Sequence, residues 1–283
     1  MNVGQRRLLA LIAGAALVLG ACSSVSDSAN VLGSTVRGYA PTASANPYPD
    51  KDDAHFHDGV ERAHRMPVQG IDVSRWQGDI DWHQVRAAGT RFAFIKATEG
   101  GDHLDPKFRE NWEGARRAGV PRGAYHFVYW CRPAHEQMLW FMLHVPNDPD
   151  ALPPVLDVEW NHHSRSCPRK IPRDRALAKM RIMLDSMEAH TGKRPIIYTD
   201  ITFHRDVLEG ELSDYPFWLR SVAAEPHERY ANRDWAFWQF TATGRVPGVK
   251  GDVDRNAFKG SVADWERLMA SWGLRQGARV ADN

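Results

Sequence analysis

The sequence predicts an α/β fold closed into a single β/α barrel, and three observations predict it. From Pro67 onward, short apolar runs alternate with helical or loop segments, the order that builds a largely parallel sheet with helices outside it. Runs at residues 70–73, 92–97, 123–127, 155–158, 195–198, 217–219 and 236–240 are joined by another near Val253, a number that suits closure. Polar residues gather at the ends of these runs, where a barrel opens its mouth.

The connectors carry their own signals. Asp105 and Pro106 cap and start a helix that runs through Ala118 and stops at Gly119. Residues 173–190 form an amphipathic pattern that ends before Gly192, and a last helix over 262–272 stops at Gly273. Helical signals are poor between Phe217 and Phe240, so strands and loops are expected there. No internal repeat is present.

The N-terminus is a separate object. Arg6 and Arg7 precede an apolar run over residues 8–19, too short to span a bilayer but suited to a signal peptide over residues 1–21. The run ends in Leu19-Gly-Ala-Cys22, which resembles the lipobox of bacterial lipoproteins and implies lipidation of Cys22. The alternative is a soluble secreted protein cut nearby. Residues 22–66 would then be the lipidated cysteine and a disordered tether, since they are rich in Ser, Ala, Asn, Pro and charge and lack periodicity. Such a tether stretches to roughly 150 Å but relaxes to about 35 to 40 Å. His55 and His57 within it read as solvated residues rather than metal ligands. The chain is expected as an exported, membrane-anchored lipoprotein facing the periplasm or cell envelope.

Composition excludes some partners. A formal net charge of +1 over 283 residues gives no basic footprint for nucleic acid and no acidic excess for a cationic partner. Eleven tryptophans are many for this length, and sugars stack on such rings, although a core is their usual home. Beyond Cys22 only Cys131 and Cys167 remain. In an exported chain they invite one disulfide, the alternative being two buried thiols; a zinc site needs more ligands.

The chemistry sits at the strand ends. Asp72 ends the first run, Lys96 and Glu99 flank the end of the second, and Tyr125 and His126 lie on the third. Asp157 and Glu159 follow on the fourth, Tyr198 and Asp200 on the fifth, Trp218 on the sixth, Gln239 on the seventh, and Asp252 and Asp254 on the last. In Val155-Leu-Asp-Val-Glu-Trp160 the two acids are two positions apart, so a strand projects both from one face. Either acid alone would read as a helix cap or a solvated strand end. Four carboxylates aimed at one mouth instead match the needs of glycoside hydrolysis, in which one acid protonates the leaving oxygen and another stabilises positive charge at the sugar.

As a set, these segments resemble a known family. Gly70-Ile-Asp-Val-Ser-Arg-Trp-Gln-Gly78, Phe94-Ile-Lys-Ala-Thr-Glu-Gly100, Gly123-Ala-Tyr-His-Phe127, Leu156-Asp-Val-Glu159, Ile197-Tyr-Thr199, Trp238-Gln-Phe-Thr241 and Gly251-Asp-Val-Asp254-Arg-Asn256 are similar to the family 25 glycoside hydrolases. These are the N,O-diacetylmuramidases, or Chalaropsis-type lysozymes. The resemblance implies a single flattened, modified TIM-like barrel over residues 67–283. It implies cleavage of the β-1,4 bond between N-acetylmuramic acid and N-acetylglucosamine, with Glu159 as general acid/base and Asp157 orienting the substrate acetamido group. Asp72 and Asp254 match two further acids of the cleft, and Tyr125, Tyr198 and Trp218, with Gln239 beside them, fall where sugars bind. Two departures bear on the sugar subsites rather than the acids: Leu219-Arg-Ser-Val222 replaces a small residue and tyrosine, and Cys131 stands in an unusual segment after the third strand.

Adjacent acids of this kind also occur in hydrolases whose substrate supplies its own N-acetyl oxygen as nucleophile, so retention of configuration is expected. The expected partners are peptidoglycan glycan strands and, through Cys22, a membrane, with no nucleic acid, cofactor or metal, and the chain is expected as a monomer. Two rival readings are a lipid-anchored module that binds peptidoglycan without cutting it, and a hydrolase of another N-acetylated glycan such as chitin.

Overall fold

A computed structural model of the chain describes residues 59–274. The signal segment, Cys22, His55 and His57 lie outside the described residues. In chain order the first elements are α1 (Val60–Arg65), β1 (Gln69–Val73), a 3-10 turn (Arg75–Gln77), α2 (Trp82–Ala87), β2 (Phe92–Glu99), β3 (His103–Leu104) and α3 (Phe108–Arg117). Next come β4 (Arg122–Phe127), α4 (Ala134–His144), β5 (Val155–Val158), α5 (Arg173–Thr191), β6 (Ile196–Thr199) and α6 (Ile201–Phe203), which continues as a π turn over His204–Leu208. The last are β7 (Phe217–Arg220), α7 (Pro226–Arg229), β8 (Phe237–Gly244), β9 (Val253–Phe258) and α8 (Val262–Ser271).

Strands β1, β2, β4, β5, β6, β7, β8 and β9 close a barrel, because β1 pairs with β2 on one side and β9 on the other. Pairing is parallel from β1 through β8. The sequence expectation of a largely parallel sheet misses two things: β9 runs antiparallel to both β8 and β1, and β3 is a short antiparallel addition to β2. Strand direction leaves no mark in an apolar run.

Register assigns the two faces. Phe127, Asp157, Tyr198, Trp218 and Phe237 are successive partners across β4 to β8, so they form one inward row. Phe92, Phe94, Val155, Ile196, Trp218, Phe237 and Phe258 fill the interior, and Trp265 and Met269 of α8 join this cluster. Trp265 packs its ring 5.4 Å from both Phe92 and Phe258, so α8 plugs the end opposite the strand C-termini. Glycine is required on two inner positions. A Cβ on Gly70 would lie 2.4 Å from the Phe92 ring, and one on Gly123 would lie 2.9 Å from the Pro153 carbonyl oxygen.

Residues of opposite parity, such as Ile71, Ile95, Leu156, Ile197 and Leu219, point outward into a second core under the helices. There α5 buries Ala176, Leu177, Met180, Met183, Leu184 and Met187, a stripe at helical spacing, and Gly192 ends it in the left-handed region at φ 69°. Removing each of the Leu and Met side chains from water contributes about 1.5–3 kcal/mol.

Two sequence expectations need correction. Residues 60–65 of the tether expected through Met66 are instead a helix, whose Val60 and Ala63 pack with Trp238, Phe240 and Ala257. The segment before the fifth strand also contains α4, which the sequence reading did not identify. Cys131 and Cys167 are joined in a disulfide, with Cα atoms 5.5 Å apart, which settles that pair against free thiols.

Candidate active site

The C-terminal ends of β1 and β5 and the N-terminal end of antiparallel β9 deliver the acids to one mouth. Asp157 is on β5, Glu159 is one step past its end, Asp72 is on β1 and Asp254 on β9, and the last two are direct register partners. Glu159 keeps its place partly through its backbone, whose carbonyl accepts a 2.6 Å hydrogen bond from Trp130 Nε1.

A polar network holds Asp72. Its Oδ2 accepts hydrogen bonds from Gln239 Nε2 at 2.9 Å and Asn256 Nδ2 at 2.8 Å. Tyr198 donates its hydroxyl to Gln239 Oε1 at 2.9 Å, and the same hydroxyl lies within hydrogen-bonding reach of Glu159. Asp157 is buried, and its Oδ1 has no hydrogen-bond partner within the protein. That unsatisfied acceptor is expensive in an empty site and useful in an occupied one.

Burial dominates the electrostatics. It pushes the Glu159 carboxyl up to about 7, with Asp200 adding to the rise while Arg220 and the Tyr198 hydroxyl oppose it. Asp254 rises to about 8 through burial and then the Asp72 charge; Asp72 rises to about 6 through burial, held back by Asn256 and Gln239. Asp157 goes well above its ordinary value through burial and the charge of Glu159. Four desolvated acids in mutual range titrate as a group. Tyr125 and Tyr198 are also pushed up by burial and the surrounding carboxylates, so both remain protonated donors.

Several candidates take other places. Trp218, expected to line a sugar subsite, is only 2% exposed and donates its Nε1 to Asn256 Oδ1 at 2.7 Å. Its ring meets Tyr198 at 4.4 Å and Phe94 at 4.6 Å, so it supports the site from below and offers sugar no open face. His126 points away from the mouth into bonds with Thr98 at 2.7 Å and Gln137 at 3.1 Å. Lys96 and Glu99 pair at 2.5 Å, and Asp252 pairs with Arg245 at 2.8 Å on the surface. Asp200 caps α6 by accepting from Phe203 N at 2.6 Å.

Two contributors entered the sequence reading only within longer segments and were given no part among the acids. Arg220 and Asn256 sit two residues beyond Trp218 and Asp254, so strand alternation alone carries them to the same inner face. A cavity of about 860 Å³ lies elsewhere, on the outer surface between α3 and α4, and none of the mouth acids lines it.

Comparison with known proteins identifies the family. Lysozyme M1 of Streptomyces globisporus is 39% identical over 219 residues, covering 72% of this chain and 70% of its own. A family 25 glycosyl hydrolase structure from Bacillus anthracis matches with a TM-score of 0.68 at 32% identity, over 76% of this chain and 96% of that one. A lysozyme structure from Streptomyces coelicolor matches with a TM-score of 0.63 at 36% identity, over 74% and 98%. The model of glycosyl hydrolases family 25 matches residues 71–249, a span that holds Asp72, Asp157 and Glu159 and stops just short of Asp254. With most of its barrel inside that match, the chain is a glycoside hydrolase and belongs to glycosyl hydrolases family 25.

Proposed function

We propose that the enzyme cleaves the β-1,4 bond between N-acetylmuramic acid and N-acetylglucosamine in peptidoglycan, with Glu159 as general acid/base and Asp157 assisting the substrate acetamido group. One observation carries the assignment of the acid. Glu159 stands two residues beyond Asp157 at the end of β5, so one strand face presents a proton donor and an acetamido partner to the same sugar. Burial lifts Glu159 to about 7, so near neutrality much of it keeps the proton that a poor leaving group needs, while Asp254, lifted further, sits on β9 rather than beside Asp157.

The reaction follows from the shared strand face. Glu159 gives its proton to the glycosidic oxygen as the bond to the anomeric carbon breaks. The acetamido carbonyl oxygen attacks that carbon and forms a cyclic oxazolinium ion. Asp157 Oδ1, which has no protein partner, accepts the acetamido N–H and holds the group in line for that attack. Glu159 then takes a proton from water, the water oxygen attacks the same carbon, and the ring opens with net retention.

Purified peptidoglycan digested by the enzyme should yield fragments with reducing-end N-acetylmuramic acid by mass spectrometry. Reducing-end N-acetylglucosamine would overturn the bond assignment. Glu159→Gln should lower turnover by about 10²- to 10⁴-fold without unfolding the barrel. Inverted product by NMR would reject retention, and a trapped ester on Asp157 would reject the substrate-assisted route.

The sequence alone supports the location. We infer export and anchoring of a monomeric enzyme through a lipidated Cys22, which brings the barrel to the wall on its tether. Stable attachment needs more than one acyl chain, as lipobox processing supplies. Cys22→Ser should move the protein out of the membrane fraction, and unchanged fractionation would reject the anchor.

A further inference from the structure

The turn after β1 contains an unusual tryptophan. Trp76 is 77% exposed and is the one exposed large aromatic among the described residues, whereas the Trp218 ring lies in the barrel interior. Exposure of an indole is unfavourable in a free protein. The backbone that presents it is nevertheless well fixed. Ser74 and Gln77 form a reciprocal capping box around the turn, and Gln77 Nε2 also donates to Asp252 O at 3.3 Å. Arg75 N donates to Asp105 Oδ2 at 3.0 Å. Segments following β1 and β2 and the one preceding β9 therefore hold this turn at the rim of the mouth.

The side chain is oriented as well. The Arg75 guanidinium lies over the indole, 4.6 Å from the ring centroid, and its Nη1 is 3.4 Å from His103 Nε2. One indole face is covered by this cation and the other is open. Trp76 lies four residues beyond Asp72, at most about 14 Å along an extended chain, so it stands outside the acids but within reach of the same bound polymer.

We propose that Trp76 is a distal subsite of the cleft, whose open face stacks on a pyranose ring of the peptidoglycan glycan strand, with Arg75 as the residue that positions the indole. The proposal rests on the muramidase reading for its ligand. It assigns to the rim the stacking role that buried Trp218 does not fill. A rigid aromatic face binds a sugar ring with little loss of conformational freedom. Its contribution is to affinity for long chains, because a short fragment filling only the sites beside the acids does not reach it.

Trp76→Ala tests this in the full chain, with steady-state kinetics on long soluble glycan strands and on a tetrasaccharide fragment. The expected result is a roughly threefold to tenfold rise in KM on long strands, with kcat unchanged, no change on the fragment, and recovery by Trp76→Phe. In a Glu159→Gln background, Trp76→Ala should weaken calorimetric binding of long strands by the same factor. Unchanged KM on long strands overturns the subsite, and so does an equal loss on both substrates, which marks a structural role. A wild-type enzyme that leaves peptidoglycan intact instead rejects the activity on which the subsite depends.

Discussion

Arg220 shows how a single residue can be visible in a sequence and still be misplaced. It marks a departure from the family pattern after Trp218, which pointed to the sugar subsites, yet its guanidinium acts on the acids. It opposes the rise of Glu159, Asp72 and Asp254 alike, and interactions with Tyr198, Glu159 and Asp254 hold Arg220 above its own ordinary value even though burial works against it. Activity requires the protonated form of Glu159, so it should fall as pH rises through about 7. Without the cation, Glu159 keeps its proton to higher pH. Arg220→Ala should therefore shift the alkaline limb of the kcat/KM profile upward, and a limb that stays put or moves down would show that Arg220 does not tune the acid. Asp157 and Glu159 were legible because spacing of two along a strand fixes a shared face, and Asp72 and Asp254 because polar residues at strand ends converge on one mouth. The place of Trp218 was not legible, since alternation says that a ring points inward but not how deep it lies.

At the scale of elements, seven of the eight barrel strands follow apolar runs closely, because a strand buried on both faces must be apolar throughout. The short helices were harder. In α1 only Val60 and Ala63 are apolar and buried amid charge, while in α4 the run Met138-Leu-Trp-Phe-Met-Leu143 is apolar on every side and lacks a clean period. The link between α4's loop and the segment after β5 is the disulfide, whose cysteines are separated by 36 positions. Trp130, next to Cys131, donates to both Asn161 Oδ1 and Glu159 O, so the bridge braces the segment that carries the acid. Closing a loop of that length contributes roughly 3 to 4 kcal/mol by chain entropy. Replacing both cysteines by serine should lower the denaturation midpoint accordingly and reduce kcat more than it raises KM. An unchanged midpoint would mean that the bridge adds no stability, and an unchanged kcat would mean that Glu159 keeps its position without it.

For the whole molecule, one end of the barrel favours stability and the other sacrifices some of it. Aromatic packing under α8 fills the closed end, whereas the open end gathers carboxyls that burial drives toward neutrality. That much could not be read from composition, because a net charge of +1 averages the mouth with the surface. The consequence is a pH dependence of folding. Asp72, Glu159 and Asp254, raised from ordinary carboxyl values to about 6, 7 and 8, contribute their full stability below the unfolded range of about 4 and lose it as pH rises through those folded values. Two buried histidines act oppositely. His126 and His204 are pushed down to about 4 by burial, so their effect is a gain of stability as pH rises from about 4 to 6.5, and it is complete above that. The interval from about pH 6.5 to 8.5 therefore belongs to the acids. The melting temperature should fall across it, and Asp254→Asn, which removes the highest of the three printed values, should flatten the fall and leave the variant more stable than the wild type at pH 8.5. Parallel melting curves for the two proteins over that interval would refute the burial of ionisable charge at the mouth.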